Sequence, residues 1–568
     1  MSQNWKSSFR IEAGGKSSNN SKRQLRNIIG SRQIGLDAFR EESSVHAEGE
    51  WEVTTLRLVY TGEEPLRIRS LIWRLEIPVQ PELCEVLAPG YAPGMREPYD
   101  LHRRLCDYRK KELLTLRGDL IPAELPGIAG VYEPEEGIAH LAWNRNDCFL
   151  SELTAFALEG DCLVREETIH CPCDLHAGDE LNFGKFYTGS WKGTRQEVIR
   201  KITGAMWPAS RENRDELYIS EVTIGARQLR SPYPEYGDLF KKLPELCEQG
   251  YNALMLTPYF PWPGWAVHDL MDADVTYHSL AGLKELAQRL HKLNMKLILE
   301  VPQRGVSEYD TSRVALPESP ILNRLELYGH HETGHIARTY LRAFDFASES
   351  YQKYLTEALL YYCREVQADG FLLDAQMWNA FPNWQPGGEK KPYDSIPAGI
   401  RMMESVRETV CKEFPDVFFV GQSGGPWAAS LHDYTVAYPA HWARWGLAPL
   451  VDKRETVKWF HNYICENTLS EQDFLEWHHE YESAMPEGTK LLTGPDTGKS
   501  IEWMLALGSQ FDREIFGEKE HLVMLKRALE LGYGTVVYEG ADTGLEEEYG
   551  RLIRERKLHT RKKTTEEV

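Results

Sequence analysis

The chain has 568 residues, of which 42% are apolar and 11% aromatic, and its formal net charge is −21. That length exceeds one ordinary domain and predicts two or three, while the acidic balance excludes a nucleic-acid partner, whose phosphates require a basic surface. No run approaches the roughly 20 apolar residues that span a bilayer. The polar opening MSQNWKSSFRIEAGGKSSNNSKRQ lacks the apolar core of a secretory signal, so no membrane partner is expected and the expected location is cytoplasmic.

Residues 1–45 are rich in Ser, Asn, Lys and Arg and are expected as a flexible arm. From Trp51 to about Tyr187 come runs of strand length such as WEVTTLRLVY, LRIRSLIWRLEIPV, GIAHLAWN and CLVREETIHCP, separated by Gly, Pro and Asp. Many short strands at such spacing predict a β-sandwich. The stretch GSWKGTRQEVIRKITGAMW, 189–207, predicts a helical linker that closes this unit at about residue 210. Cys171 and Cys173 are close, but the single intervening Pro172 does not give zinc-ligand spacing, so the ten cysteines are expected as free thiols with no metal.

After Asp215 the grammar changes. LYISEVTIG, NALMLTPY, MKLILEVP, DGFLLDAQ and DVFFVGQS read as strands, and amphipathic helical stretches such as DLFKKLPELCEQGY and SYQKYLTEALLYYCREVQA stand between them. Strands alternating with helices imply βα units and a parallel sheet. The extent, 211–560 with a tail at 561–568, fits a (β/α)₈ TIM-like barrel with insertions. A doubly wound sheet is the alternative, weakened because no dinucleotide-binding glycine fingerprint follows the first strand. The predicted fold class is therefore α/β, a (β/α)₈ TIM-like barrel preceded by an N-terminal β-sandwich.

Barrel enzymes place their chemistry at the C-terminal ends of the strands, and those ends carry a resemblance. RAFDFASESYQKYLTEALLYYCREVQADGFLLDAQ resembles the α-amylase superfamily run that ends in Asp-Gly-Phe-Arg-x-Asp-Ala, with Asp374 on the position of the catalytic nucleophile. After NALMLTPY, the segment PWPGWAVHDLMDADVTYHSL is similar to the family's second-strand loop, with Trp265 for a Tyr, Asp269 for an Asp and Leu270 for a second Tyr. FPDVFFVGQSGGPW resembles the strand that ends in the acid/base Glu, here Gln422, and KLLTGPDTGKS the strand whose Asp assists the transition state, here Asp496. GYGTVVYEGADTG resembles the last strand and its turn, with Glu539 and Asp542 inside it and Gly544 closing it.

The resemblance implies a retaining mechanism on α-glycosides, in which the Asp374 carboxylate attacks the anomeric carbon and Asp496 assists. Its departures are as informative. Leu372 stands where the family's Arg would hold the nucleophile, so the Asp374 pKa is expected to rise. Arg304 and Gly305 replace the Asn and His after strand three, so calcium is not implied, and no cofactor is. Gln422 is an amide and cannot deliver a proton, a loss of on the order of 10² to 10⁴ in rate. A deliberate Glu-to-Gln change or natural divergence would each leave it; the further departures at Leu372, Arg304 and Gly305 favour divergence. If Gln422 is native, Glu300 or Asp433 would have to serve as acid.

Tyr259, Trp262, Trp265, His268, Trp378 and Trp427 lie near the strand ends and are candidates for sugar contact, each weighed against ordinary rim packing. His478 and His479 are adjacent, so they face different ways on a helix, and both are expected on the surface rather than on a metal. Three functional readings stand. The first is a glycoside hydrolase or transglycosylase with an oligosaccharide or glycoside substrate. The second is a catalytically silent sugar-binding or scaffold protein. The third is a glycosidase of the α-galactosidase type, prompted by the strand-rich N-terminal domain and disfavoured by the last-strand match. The sugar, the linkage and the oligomeric state are left open by the sequence.

Overall fold

The computed structural model describes residues 5–16, 29–89, 114–117, 129–145, 150–160, 162–209, 215–225, 231–256, 270–271, 279–302, 305–307, 322–329, 340–374, 390–395, 398–421, 425–436, 468–493 and 512–566. The N-terminal part is two antiparallel six-stranded sheets. The strands are β1 at Lys6–Lys16, β2 at Ile29–Ile34, β3 at Phe39–Glu48, β4 at Trp51–Tyr60, β5 at Leu66–Pro78, β6 at Glu85–Leu87, β7 at Leu114–Arg117, β8 at Ala129–Glu133, β9 at Ile138–Arg145, β10 at Leu150–Glu159, β11 at Cys162–Leu175 and β12 at Glu180–Lys192. One sheet has the order β2-β1-β5-β11-β10-β7 and the other β3-β4-β12-β9-β8-β6. Both sheets contribute to one core. Ile11, Leu71 and Trp73 from the first meet Leu56, Leu58 and Phe186 from the second, and the Trp73 and Phe186 rings sit 4.8 Å apart.

Within the stretch expected as a flexible arm, the described residues include the strands β1 and β2 and the start of β3. β1 pairs with β2 and with β5, and β3 pairs with β4 along its whole length. The β3 side chains are nearly all exposed, and among the described strands β3 ends its sheet. A strand that packs on neither face has no reason to alternate apolar residues, which is why FREESSVHAE does not announce itself. The expected linker helix is present as α1, Arg195–Met206. It starts at a capping box in which the Thr194 side chain accepts from the Glu197 amide and the Glu197 carboxylate accepts from the Thr194 amide at 2.8 Å.

The remainder is a closed barrel of eight parallel strands, β13 (Leu217–Val222), β14 (Ala253–Leu256), β15 (Lys296–Pro302), β19 (Gly370–Asp374), β20 (Phe418–Gly421), β21 (Tyr434–Val436), β22 (Leu491–Thr493) and β23 (Gly534–Tyr538). Their runs are apolar almost throughout because a parallel strand inside an α/β fold is covered on both faces. Alternate residues divide between the two. Ile219, Met255, Ile298, Leu372, Val420, Leu492 and Val536 share the inner cluster, and its members fall two apart on β13 (Leu217, Ile219), β14 (Ala253, Met255) and β20 (Phe418, Val420). Tyr218, Val222, Leu254, Leu299, Leu373 and Phe419 pack outward on the helices α2 (Tyr236–Gln249), α3 (Leu280–Lys292), α4 (Glu349–Val366) and α5 (Ala398–Glu413). Helix α4 shows why: Tyr351, Tyr354, Leu355, Ala358, Leu359, Tyr362, Cys363 and Val366 form one buried stripe at helical spacing. A small antiparallel sheet of β16 (Gly305–Ser307), β17 (Leu322–Gly329) and β18 (Tyr340–Phe344), in the order β16-β18-β17, is inserted between the third and fourth barrel strands. No described helix is long and apolar enough to cross a membrane.

Candidate active site

Parallel closure puts the C-terminal ends of all eight strands on one face, where the connecting loops converge. Asp374 is the last residue of β19, so it stands on that face, its backbone paired with Pro302 of β15. Two residues earlier, Leu372 is buried in the inner apolar cluster. Position 372 therefore fills the barrel and supplies no charge beneath Asp374.

Two inner carboxylates approach the same face. Ile298 belongs to the inner cluster while Leu299 and Val301 pack outward, so the alternation turns Glu300 inward, where it is 5% exposed. By the same argument Glu221, two residues after Ile219 on β13, points inward and is fully buried. Glu300 is paired in register with Leu372 on the neighbouring strand. Charged groups are costly inside an apolar barrel, and such positions concentrate at functional sites. Glu221 was missed by the motif reading. Its signal was the single charge in the apolar strand LYISEV.

Leu270, next to the position of Asp269, is tied down. The Leu270 amide donates to the Tyr354 hydroxyl at 2.5 Å, and the Tyr362 hydroxyl donates to the Leu270 carbonyl at 2.7 Å, so helix α4 holds both polar groups of that buried residue. At the last strand, the Glu539 amide donates to the Glu221 carbonyl at 2.8 Å and the Ser220 hydroxyl donates to the Glu539 carboxylate at 3.3 Å. Burial, and then the neighbouring Asp542 carboxylate, push the Glu539 carboxyl up to about 7. Asp542 is also raised, by burial and then by Glu546. Tyr233 and Lys242 adjoin Glu539 and favour its charged form, but burial prevails. Gly544 closes the turn at φ 82, a left-handed conformation that suits glycine.

Asp433 is not a candidate acid. It precedes β21 and so lies at the opposite, N-terminal end of the strands, buried and held by the Arg407 guanidinium at 2.7 Å and the Phe419 amide at 2.9 Å. His478 and His479 do face different ways on the helix Glu471–Ser483, but only His479 is at the surface. His478 is 1% exposed, because its helix turns Phe474, Trp477 and Tyr481 into the same packed face. Tyr259, Trp262, Trp265, His268, Asp269, Trp378, Gln422 and Asp496 lie outside the described residues, and of Trp427 only the backbone, in the helix Pro426–Leu431, is described. Arg304 lies outside them too. Among the described residues no group of three or more His, Cys, Asp or Glu side chains is placed to hold a metal ion.

No protein-family model and no curated protein matches the chain. Solved structures do. A GH36 α-galactosidase of Geobacillus stearothermophilus superposes with a TM-score of 0.57 at 9% identity, over 98% of this chain and 73% of that one. A second enzyme of that organism, bound to raffinose, gives 0.54 at 11% identity over the same shares. An α-galactosidase of Thermus thermophilus bound to stachyose gives 0.51 at 13% identity, over 89% of this chain and 99% of that one. What is shared is a fold, a closed (β/α)₈ barrel behind an antiparallel β-rich domain. At these identities the likeness shows the fold alone, and it lends no support to the α-amylase assignment expected from the motifs.

Proposed function

We propose that the protein is a retaining glycoside hydrolase acting on α-galactosides, with Asp374 as its nucleophile. The observation that carries this reading is that Asp374 terminates the fourth strand of a barrel whose likeness to α-galactosidases runs over 98% of the chain. The Asp374 carboxylate forms a bond to the anomeric carbon while the bond to the leaving oxygen breaks, its electron pair going to that oxygen. Water then attacks the same carbon, its proton going to the acid group left deprotonated by the first step, and the Asp374 carboxylate is released. The leaving oxygen needs a proton, which the Gln422 amide cannot give. In this reading Glu300, buried and inward-facing on the adjacent strand, serves as the acid, and Asp496 steadies the charge that develops on the sugar. Raffinose and stachyose, the ligands of the structural neighbours, are the first natural substrates to try.

The test is hydrolysis of 4-nitrophenyl α-D-galactopyranoside beside the corresponding α-glucoside. The galactoside should be turned over preferentially, and Asp374→Asn should lower kcat by roughly 10³-fold or more. Glu300→Gln should spare aryl substrates, whose leaving group needs no proton, and slow raffinose by about 10²-fold. Full activity in Asp374→Asn would sink the nucleophile assignment, and preference for the glucoside would sink the substrate class. A second reading, a silent sugar-binding protein, is favoured by the amide at 422 together with the apolar Leu372. Raffinose binding with no turnover in either the native chain or Gln422→Glu would establish it.

A further inference from the structure

The short 3₁₀ turn Pro392–Ser395 lies between the fourth barrel strand and helix α5, and three separate parts of the molecule meet on it. From the N-terminal sandwich, the Asp179 carboxylate pairs with the Lys391 ammonium at 3.1 Å, and the Tyr393 ring packs against the sandwich core beside β11. From the return of the insertion after strand three, the buried Asp345 carboxylate accepts from the Ser395 hydroxyl at 2.7 Å and from the Ala347 amide at 2.9 Å. The Lys390 ammonium donates to the Ala347 carbonyl. From helix α5, the Arg401 guanidinium donates to the Asp394 carbonyl at 3.0 Å. Within the turn, the Lys391 amide donates to the Asp394 carboxylate at 2.8 Å, which fixes its shape.

We propose that this turn is a clasp through which the sandwich holds the connections after strands three and four, so that Asp179, Lys391, Tyr393 and Asp345 are positioning residues for the site built on Glu300 and Asp374. The inference rests on the hydrolase reading for its kinetic consequence and on the turn's own contacts for its structural one. A barrel needs none of these contacts to close, since its ladder runs through the strands themselves. Their effect falls instead on two connections that leave the face where Asp374 stands. The sandwich thereby becomes part of the site's support, although it contributes no strand to the barrel.

The experiment compares the native protein with Asp179→Asn, Tyr393→Ala and the charge-reversed pair Asp179→Lys with Lys391→Asp. Amide hydrogen exchange is followed at residues 390–395 and 345–348, and kcat and KM are measured on the aryl galactoside. Loosening the sandwich side should speed exchange at 390–395 and, through Asp345, at 345–348, by about tenfold for Tyr393→Ala and a few-fold for Asp179→Asn. KM should rise by a similar factor with kcat nearly unchanged, and the charge-reversed pair should recover most of what Asp179→Asn loses. Unaltered exchange at 345–348 in Tyr393→Ala, or a reversed pair as impaired as the single variant, would overturn the clasp. Exchange is read whether or not any glycoside is hydrolysed, so a failure of the hydrolase reading is visible separately.

Discussion

A carboxyl group taken out of water resists ionisation, and it resists more when a second carboxylate shares its surroundings. Glu539 and Asp542 are held in this way at the end of the last barrel strand, facing Tyr233, Tyr251, Lys242, Ser220 and Glu546. Because the folded-state pKa of Glu539 is raised, the native state keeps a proton that the unfolded chain releases. Stability should therefore fall as the pH rises from about 4.5 to about 7 and level off above that. Glu539→Gln removes the Glu539 share of this dependence. Its stability relative to the native chain should improve progressively between pH 5 and pH 8, measured as the difference in denaturation midpoints. A constant difference across that range would show that Glu539 is not held protonated. None of this was visible in GYGTVVYEGADTG, where both carboxylates appear as turn residues; the shift arises from what packs over them.

At the scale of elements, the inner barrel depends on small residues at close approaches. A Cβ added to Gly370, the first residue of β19, would lie 2.7 Å from the Phe418 ring on the neighbouring strand, inside contact distance. Gly370→Ala should therefore cost about 1–3 kcal/mol, read as a lower midpoint in urea, because it displaces the strand that ends in Asp374. The parallel strands were legible in the sequence because burial on both faces leaves near-continuous apolar runs, and α4 was legible because one buried face leaves a helical stripe. The strands β1, β2 and β3 were not, since KSSFRIEAGGK, IGSRQI and FREESSVHAE owe their form to backbone pairing, β1 with the distant β5 and with β2, and β3 with its hairpin neighbour β4. The burial of His478 was missed for a related reason. Helical phase separates two adjacent histidines, but only the packing partner decides which one it covers.

For the whole molecule, the joint between sandwich and barrel is as specific as either part. Arg195 at the start of α1 donates to both oxygens of the buried Glu480, at 2.9 and 3.2 Å, and to the Val86 carbonyl at 3.0 Å. Removing one partner of a buried ion pair leaves a charge without its counterpart, so Arg195→Ala should destabilise by about 3–5 kcal/mol. Calorimetry should show a lower melting temperature for the whole chain; a change confined to the sandwich would mean that the joint does not couple the two parts.

By itself the sequence determined the architecture, because alternating βα units and near-continuous apolar strands have few compact solutions, and it put Asp374 at a strand end. Only the tertiary structure decided that Glu221 and Glu300 point into the barrel, that Asp433 lies at its other end, and that three strands form before Trp51. It also decided that the shared fold is that of α-galactosidases, at identities near 10% where short motifs no longer discriminate. The reason is physical: local pattern fixes period and polarity, whereas burial, facing and partnership belong to pairs of segments that meet only when the chain has folded.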